Sequence, residues 1–168
     1  MGQGIESEAP NNLLELLPAD AVRMWVTVSD WRTAVRAAGE ALTSSGATSI
    51  GYTDEMIACV EEFGPYIVIA PGIALAHARP SSSVHRAGLS WVRLGSPVEF
   101  GHESNDPVSL VIGLAAPDDS SHMTALSTLA ELLSDDAARS ALMEATFPGR
   151  VRDIIRAHSG ADPDGKDA

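Results

Sequence analysis

Gly64-Pro65-Tyr66-Ile67-Val68-Ile69-Ala70-Pro71-Gly72-Ile73-Ala74-Leu75-Ala76-His77-Ala78-Arg79-Pro80 is the stretch on which the reading of this chain turns. It contains two short apolar runs rich in β-branched residues, Tyr66 to Ala70 and Ile73 to His77, separated by Pro71-Gly72. That pattern predicts two strands with a turn between them. Gly64-Pro65 ends whatever helix precedes, because proline cannot continue a helix and glycine permits the exit turn. His77 closes the second run with Gly72, Ala74, Ala76 and Ala78 nearby, and these small neighbours leave an imidazole within reach of a docking protein. Spacing alone leaves two readings of His77 open, a functional imidazole or a structural residue at a strand edge.

Toward the N-terminus, Ala21 to Val28 places Val22, Met24, Val26 and Val28 on one side of an extended chain, the period-two pattern of a strand. Ser29 or Asp30 can cap a helix running through Ser45, with Trp31, Ala34, Val35, Ala38, Ala41 and Leu42 at helical spacing and Gly46 as its stop. A second helix is expected to begin after Thr53 and run to Gly64-Pro65. Toward the C-terminus, Ala87 to Leu94 and Val108 to Ala115 complete a set of strands. From Ser120 the periodicity returns to helical, with Leu126, Leu129, Ala130 and Leu133 as the apolar face. Ser134 can cap a further helix to about Ala145, and Pro148 can open a last one ending at His158. Helix, strands and then helices imply an α/β layer architecture with helices packed on a sheet. Residues 1–12 and 159–168 are polar and rich in Gly, Pro or Asp, so flexible ends are expected around one folded domain over 13–158.

Composition narrows the class of function. A chain of 168 residues with 45% apolar and 20% charged residues has enough material for one buried core. Its single cysteine, Cys59, excludes an intrachain disulfide and favours a reducing compartment. No apolar run reaches the roughly 18 residues needed to span a bilayer, and no secretory signal opens the chain, so a cytoplasmic protein without direct membrane insertion is expected. The net charge of -12 repels nucleic acid and suits a basic protein partner, although solubility explains such acidity equally well.

The chain offers no His-Glu-x-x-His, no Cys pair and no phosphate-binding glycine loop, so neither a metal nor a nucleotide is expected. Among the five histidines, His122 stands out beside His77. It falls at the start of a predicted helix, in line with residues 126, 129 and 133. Free backbone amides and the helix dipole at such an end favour an anion, or else the ring simply covers the helix end.

The quoted stretch, together with Leu94-Gly-Ser-Pro-Val-Glu-Phe-Gly-His-Glu-Ser-Asn-Asp-Pro-Val108 and Ser121-His-Met-Thr-Ala-Leu-Ser-Thr-Leu-Ala-Glu-Leu-Leu133, resembles the enzyme IIA family of bacterial sugar phosphotransferase systems. The type is that of mannitol, fructose and ascorbate, and the Gly-Pro-Tyr-Ile-Val opening and the Phe-Gly-His-Glu-x-Asn-Asp-Pro loop look closest to the ascorbate branch. The resemblance covers about residues 13 to 157. It implies a central mixed β-sheet flanked by helices on both faces. It further implies that His77 accepts phosphate from the phosphocarrier HPr and passes it to enzyme IIB, which serves the membrane permease, enzyme IIC. His122 would steady the phosphorylated ring, and Arg79 would either contact phosphate or support the turn and the partner interface. Such a transfer needs no cofactor. Ala76 stands where proline is common in the family's motif. The alternatives are a regulatory module phosphorylated on the same histidine and a non-catalytic binding domain with this fold.

Overall fold

The computed structural model describes residues 13–158, so the ends expected to be flexible, 1–12 and 159–168, lie outside the described residues. The elements in chain order are α1 (Leu13–Leu16), a 3-10 turn at Ala19–Ala21, β1 (Val22–Val26), α2 (Trp31–Ser44), α3 (Gly51–Phe63), β2 (Val68–Ala70), β3 (Ile73–His77), β4 (Gly88–Val98), β5 (Val108–Ala115), α4 (Asp119–Ser134), α5 (Asp136–Glu144) and α6 (Pro148–His158). The strands form one sheet in the order β1-β4-β5-β3-β2. The pairs β1/β4 and β3/β5 are parallel, whereas β4/β5 and β2/β3 are antiparallel. This is the mixed sheet expected.

Alternation along the strands supplies a separate core on each face. On β3, Ile73 and Leu75 join Trp91, Ile112 and Leu114 beneath helices α1, α4, α5 and α6. Ala74 and Ala76 face the other way and pack with Val92 and Val111 against α2 and α3. Helices therefore cover both faces. The small residues of β3 lie on the α2/α3 side, and their small size lets those helices approach closely.

Local chemistry sets the element ends. Asp30, rather than Ser29, caps α2 by accepting from the Thr33 amide at 2.9 Å. Gly46 and Gly64 take the positive φ that each helix exit requires. Four expectations need correction. The second helix, α3, starts at Gly51 rather than after Thr53. Its first turn has no side-chain cap, and burial of Tyr52 and Thr53 holds it instead. The strand at 21–28 does not keep one face. Trp25 has φ 58° and the β1/β4 register shifts between Arg23 and Val26. That irregularity sends Met24 to one core and Val26 and Val28 to the other. Asp135, not Ser134, caps α5, accepting from the Ala138 amide at 3.1 Å. On α4 the buried stripe is Ala125, Leu129, Leu132 and Leu133, and Ala130 is exposed.

The loop that looked closest to the ascorbate branch is a structural knot. The Asp106 carboxylate accepts from the amides of Phe100, Gly101 and His102, and His102 Nδ1 accepts from those of Ser104 and Asn105. It precedes the first residue of β5, whereas His77 pairs with Leu114 near the last. The motif therefore shapes the end of the sheet remote from His77.

Candidate active site

Strand β3 runs parallel to β5, and the two end together at the pair His77↔Leu114. After β5 the chain turns through 116–118 and starts α4 at Asp119, with His122 as the fourth residue of the helix. This connection brings His122 beside His77, with ring centroids 5.7 Å apart and planes tilted by 42°. The two histidines singled out in the sequence are thus neighbours in space.

The orientation of His77 follows from the shortness of β2. Tyr66 and Ile67, expected in that strand, lie in the turn before it, and the strand itself begins at Val68. The Leu75 amide still reaches the Ile67 carbonyl at 2.7 Å. His77 curls back over the vacated edge, and its Nδ1 donates to the Leu75 carbonyl oxygen at 2.8 Å. A carbonyl can only accept, so Nδ1 carries the proton of the neutral ring and Nε2 is left with a lone pair. Ala76, in the motif position where proline is common, is buried opposite Gly113.

An open cleft of about 910 Å³ surrounds the ring, and Cys59, Phe63, Tyr66, Arg79, Asp118 and His122 are among its lining residues. Tyr66 meets the His77 ring edge-on, with centroids 5.8 Å apart, and Phe63 meets Tyr66 in the same manner at 6.3 Å. This aromatic wall escaped the sequence reading because Tyr66 fits a strand pattern; the Gly-Pro break just before it is the signal that it begins a turn. Arg79 lies exposed on the rim and forms no ion pair among the described residues.

One expectation about His122 is corrected. The start of α4 is not an open set of amides, because the Asp118 side chain accepts from the Ser121 amide at 2.8 Å and the His122 amide bonds to the Asp118 carbonyl at 3.1 Å. The Ser121 hydrogen bonds keep the exposed Asp118 carboxyl below its ordinary acidity range, so a negative charge already occupies this end. What His122 brings to the cleft is its ring, not a helix terminus.

Burial holds the pKa of His77 below its ordinary 6.5, against the opposing pull of the Leu75 carbonyl, and the nearby His122 lowers it further. Only the neutral ring keeps a lone pair on Nε2. A reaction that uses the lone pair of this ring is therefore expected to show its histidine break below 6.5 and to slow on the acid side of that break. The same shift makes the unfolded chain the better proton acceptor, so stability from this site is full above about 6.5 and declines as the pH drops through the folded value. A pH–rate profile with a histidine break above 6.5 would contradict this assignment.

Residues 15–158 match the family model described as phosphoenolpyruvate-dependent sugar phosphotransferase system, EIIA 2, and the chain belongs to that family. It is accordingly a phosphotransferase component of a sugar phosphotransferase system. It is 34% identical over 137 residues to the ascorbate-specific EIIA component of Salmonella choleraesuis, covering 81% of this chain and 89% of that one. The solution structure of the mannitol-specific cryptic phosphotransferase enzyme IIA of Escherichia coli superposes with a TM-score of 0.78 at 29% identity, over 87% of this chain and 99% of that one. The nitrogen regulatory protein IIA-Ntr of Neisseria meningitidis gives 0.72 at 27% identity, over 84% and 97%.

Proposed function

We propose that His77 is the phosphoryl carrier of this EIIA component, taking the group from phosphorylated HPr and passing it to enzyme IIB in the cytoplasm. Enzyme IIC would then admit a sugar such as ascorbate. The observation that carries the reading is the His77 imidazole itself. It stands in an open cleft with Nδ1 committed to the Leu75 carbonyl and Nε2 free to attack. In the first step Nε2 forms the N–P bond as the donor's N–P bond breaks, and in the second the new bond breaks toward enzyme IIB. Charge spreads over the phosphoryl oxygens in such transfers, so the protein's task is positioning and donation to those oxygens. In this reading the His122 ring, 5.7 Å from that of His77, donates to those oxygens, and Arg79 on the rim supplies a cation for the phosphate or the partner.

The rim suits brief protein contacts. Phe63, Tyr66 and Met123 are large apolar residues left 60%, 46% and 56% exposed on the segments that frame the two histidines. Asp118 and Asp119 add negative charge at the cleft, in keeping with the chain's net -12 and with a basic donor. A role in sugar uptake rests on the 34% identity to an ascorbate-specific component, and the likeness to IIA-Ntr keeps a regulatory role as the second reading. Among the described residues no helix is long and apolar enough to cross a membrane.

Incubation with phosphoenolpyruvate, enzyme I and HPr, followed by mapping of the label, tests the assignment. Label is expected at position 77. His122→Ala should still accept phosphate at that position, but with a transfer rate reduced by about 100- to 1000-fold through loss of one donor. Label found at 122 in the wild-type protein would exchange the two roles, and no uptake at all would leave a non-catalytic domain.

A further inference from the structure

We propose that Tyr52 is a positioning residue for His77, its buried phenol holding apart the ends of β3 and β5 at the point where the imidazole projects. The inference rests on the assignment of His77 as phosphoryl acceptor. Tyr52 comes from the first turn of α3, on the opposite face of the sheet from His122, and is fully buried. The Ala78 amide donates to its phenolic oxygen at 2.9 Å. The hydroxyl in turn donates to the Leu114 carbonyl at 2.8 Å, with the Ala78 carbonyl as a second acceptor at 3.1 Å.

His77↔Leu114 is the last pair of the β3/β5 ladder, so a strand continuing in register would next join Ala78 to β5 directly. The phenol stands between the Ala78 amide and the Leu114 carbonyl, and two hydrogen bonds in series replace that direct contact. The strands therefore splay immediately past His77, at the carboxyl ends of neighbouring parallel strands, where the cleft lies. Burial raises the phenol's pKa to about 12, which keeps the hydroxyl neutral and able to donate and accept at once.

Removal of the hydroxyl leaves the Ala78 amide and the Leu114 carbonyl in the core without this partner, Ala78 being 5% and Leu114 0% exposed. The natural repair is direct closure of the strand ends. Closure turns the peptide between residues 77 and 78 and disturbs the Nδ1 contact with Leu75 that fixes the tautomer.

Tyr52→Phe in the full chain tests this. At saturating phospho-HPr the transfer rate is expected to fall by about 10- to 100-fold, the scale of a misplacement near 1 Å. The KM for HPr should change little, because Phe63, Tyr66 and Met123 still form the rim. The ¹⁵N spectrum of the His77 ring should change from one tautomer to a mixture. A folded variant that retains the wild-type saturating rate, or whose His77 keeps the wild-type tautomer spectrum, overturns the proposal. If the variant does not fold, hydrogen exchange at Ala78 in the wild-type protein decides. Its amide should be protected as strongly as the ladder amides of β3, and rapid exchange defeats the clamp. The tautomer spectrum needs no phosphoryl transfer, so absence of label at 77 would fail the carrier assignment without deciding this one.

Discussion

His77→Ala should take up no label from phospho-HPr while retaining the native melting behaviour to within a few degrees. The expected loss is complete because the proposed transfer runs through a covalent N–P bond, and the variant has no nitrogen at that position to form it. His122 does not replace it in this reading: its ring is 5.7 Å away, and among the described residues no hydrogen bond fixes its tautomer as the Leu75 carbonyl fixes that of His77. The structural cost is small. The side chain is only partly buried at the mouth of an open cleft, and its hydrogen bond to the Leu75 carbonyl is worth about 0.5–1.5 kcal/mol net. Water can reach the carbonyl once the ring is gone. Labelling with radioactive phosphoenolpyruvate beside a thermal melt separates the two effects, and label retained by the folded variant would dismiss His77 as the carrier.

Gly113→Ala is expected to be the most damaging single methyl in the sheet near the site. A Cβ at Gly113 would lie 2.3 Å from Ser90 Oγ and 3.2 Å from Leu42 Cδ1. Ser90 is opposite it on β4, fully buried, and its hydroxyl crosses the space left by the glycine to donate to the Ala38 carbonyl of α2 at 2.8 Å. The methyl must push that hydroxyl aside or lift α2. Overpacking of this kind costs about 1–3 kcal/mol, and at this chain length each kcal/mol lowers the melting temperature by roughly 2–4 °C. Adding Ser90→Ala should recover most of the loss, because the clashing oxygen is then absent. Ser90→Ala alone should cost about 1 kcal/mol for the hydrogen bond. The double variant should therefore be more stable than the sum of the single changes. A Gly113→Ala protein that melts at or above the wild-type temperature would refute this packing.

Several features were legible one residue at a time. Pro71-Gly72 marks the turn between β2 and β3, and Gly46 and Gly64 mark the helix exits, because these residues limit or free the backbone whatever their neighbours. Other features were not. The helix expected to begin after Thr53 starts three residues earlier, at Gly51, because Tyr52 and Thr53 gain more from burial than a cap would supply. The alternation of Val22, Met24, Val26 and Val28 reads as one face until the irregularity at Trp25 turns the chain over.

By itself the sequence determined the α/β class, the turn-bounded strand that carries His77, the helix that carries His122 and, through resemblance, the enzyme IIA family. The reasons are local: apolar period, turn chemistry and a motif that lies in one continuous segment. Only the tertiary structure decided what His77 can do. Its tautomer depends on β2 beginning late enough to free the Leu75 carbonyl, and its neighbour His122 arrives by way of the β5–α4 connection. The phenol beneath it comes from Tyr52, 26 positions from Ala78 and 62 from Leu114. Hydrogen bonds across such separations follow from the sheet order β1-β4-β5-β3-β2 and from which helices cover each face. Those are properties of the packed chain, and no window of the sequence contains both partners.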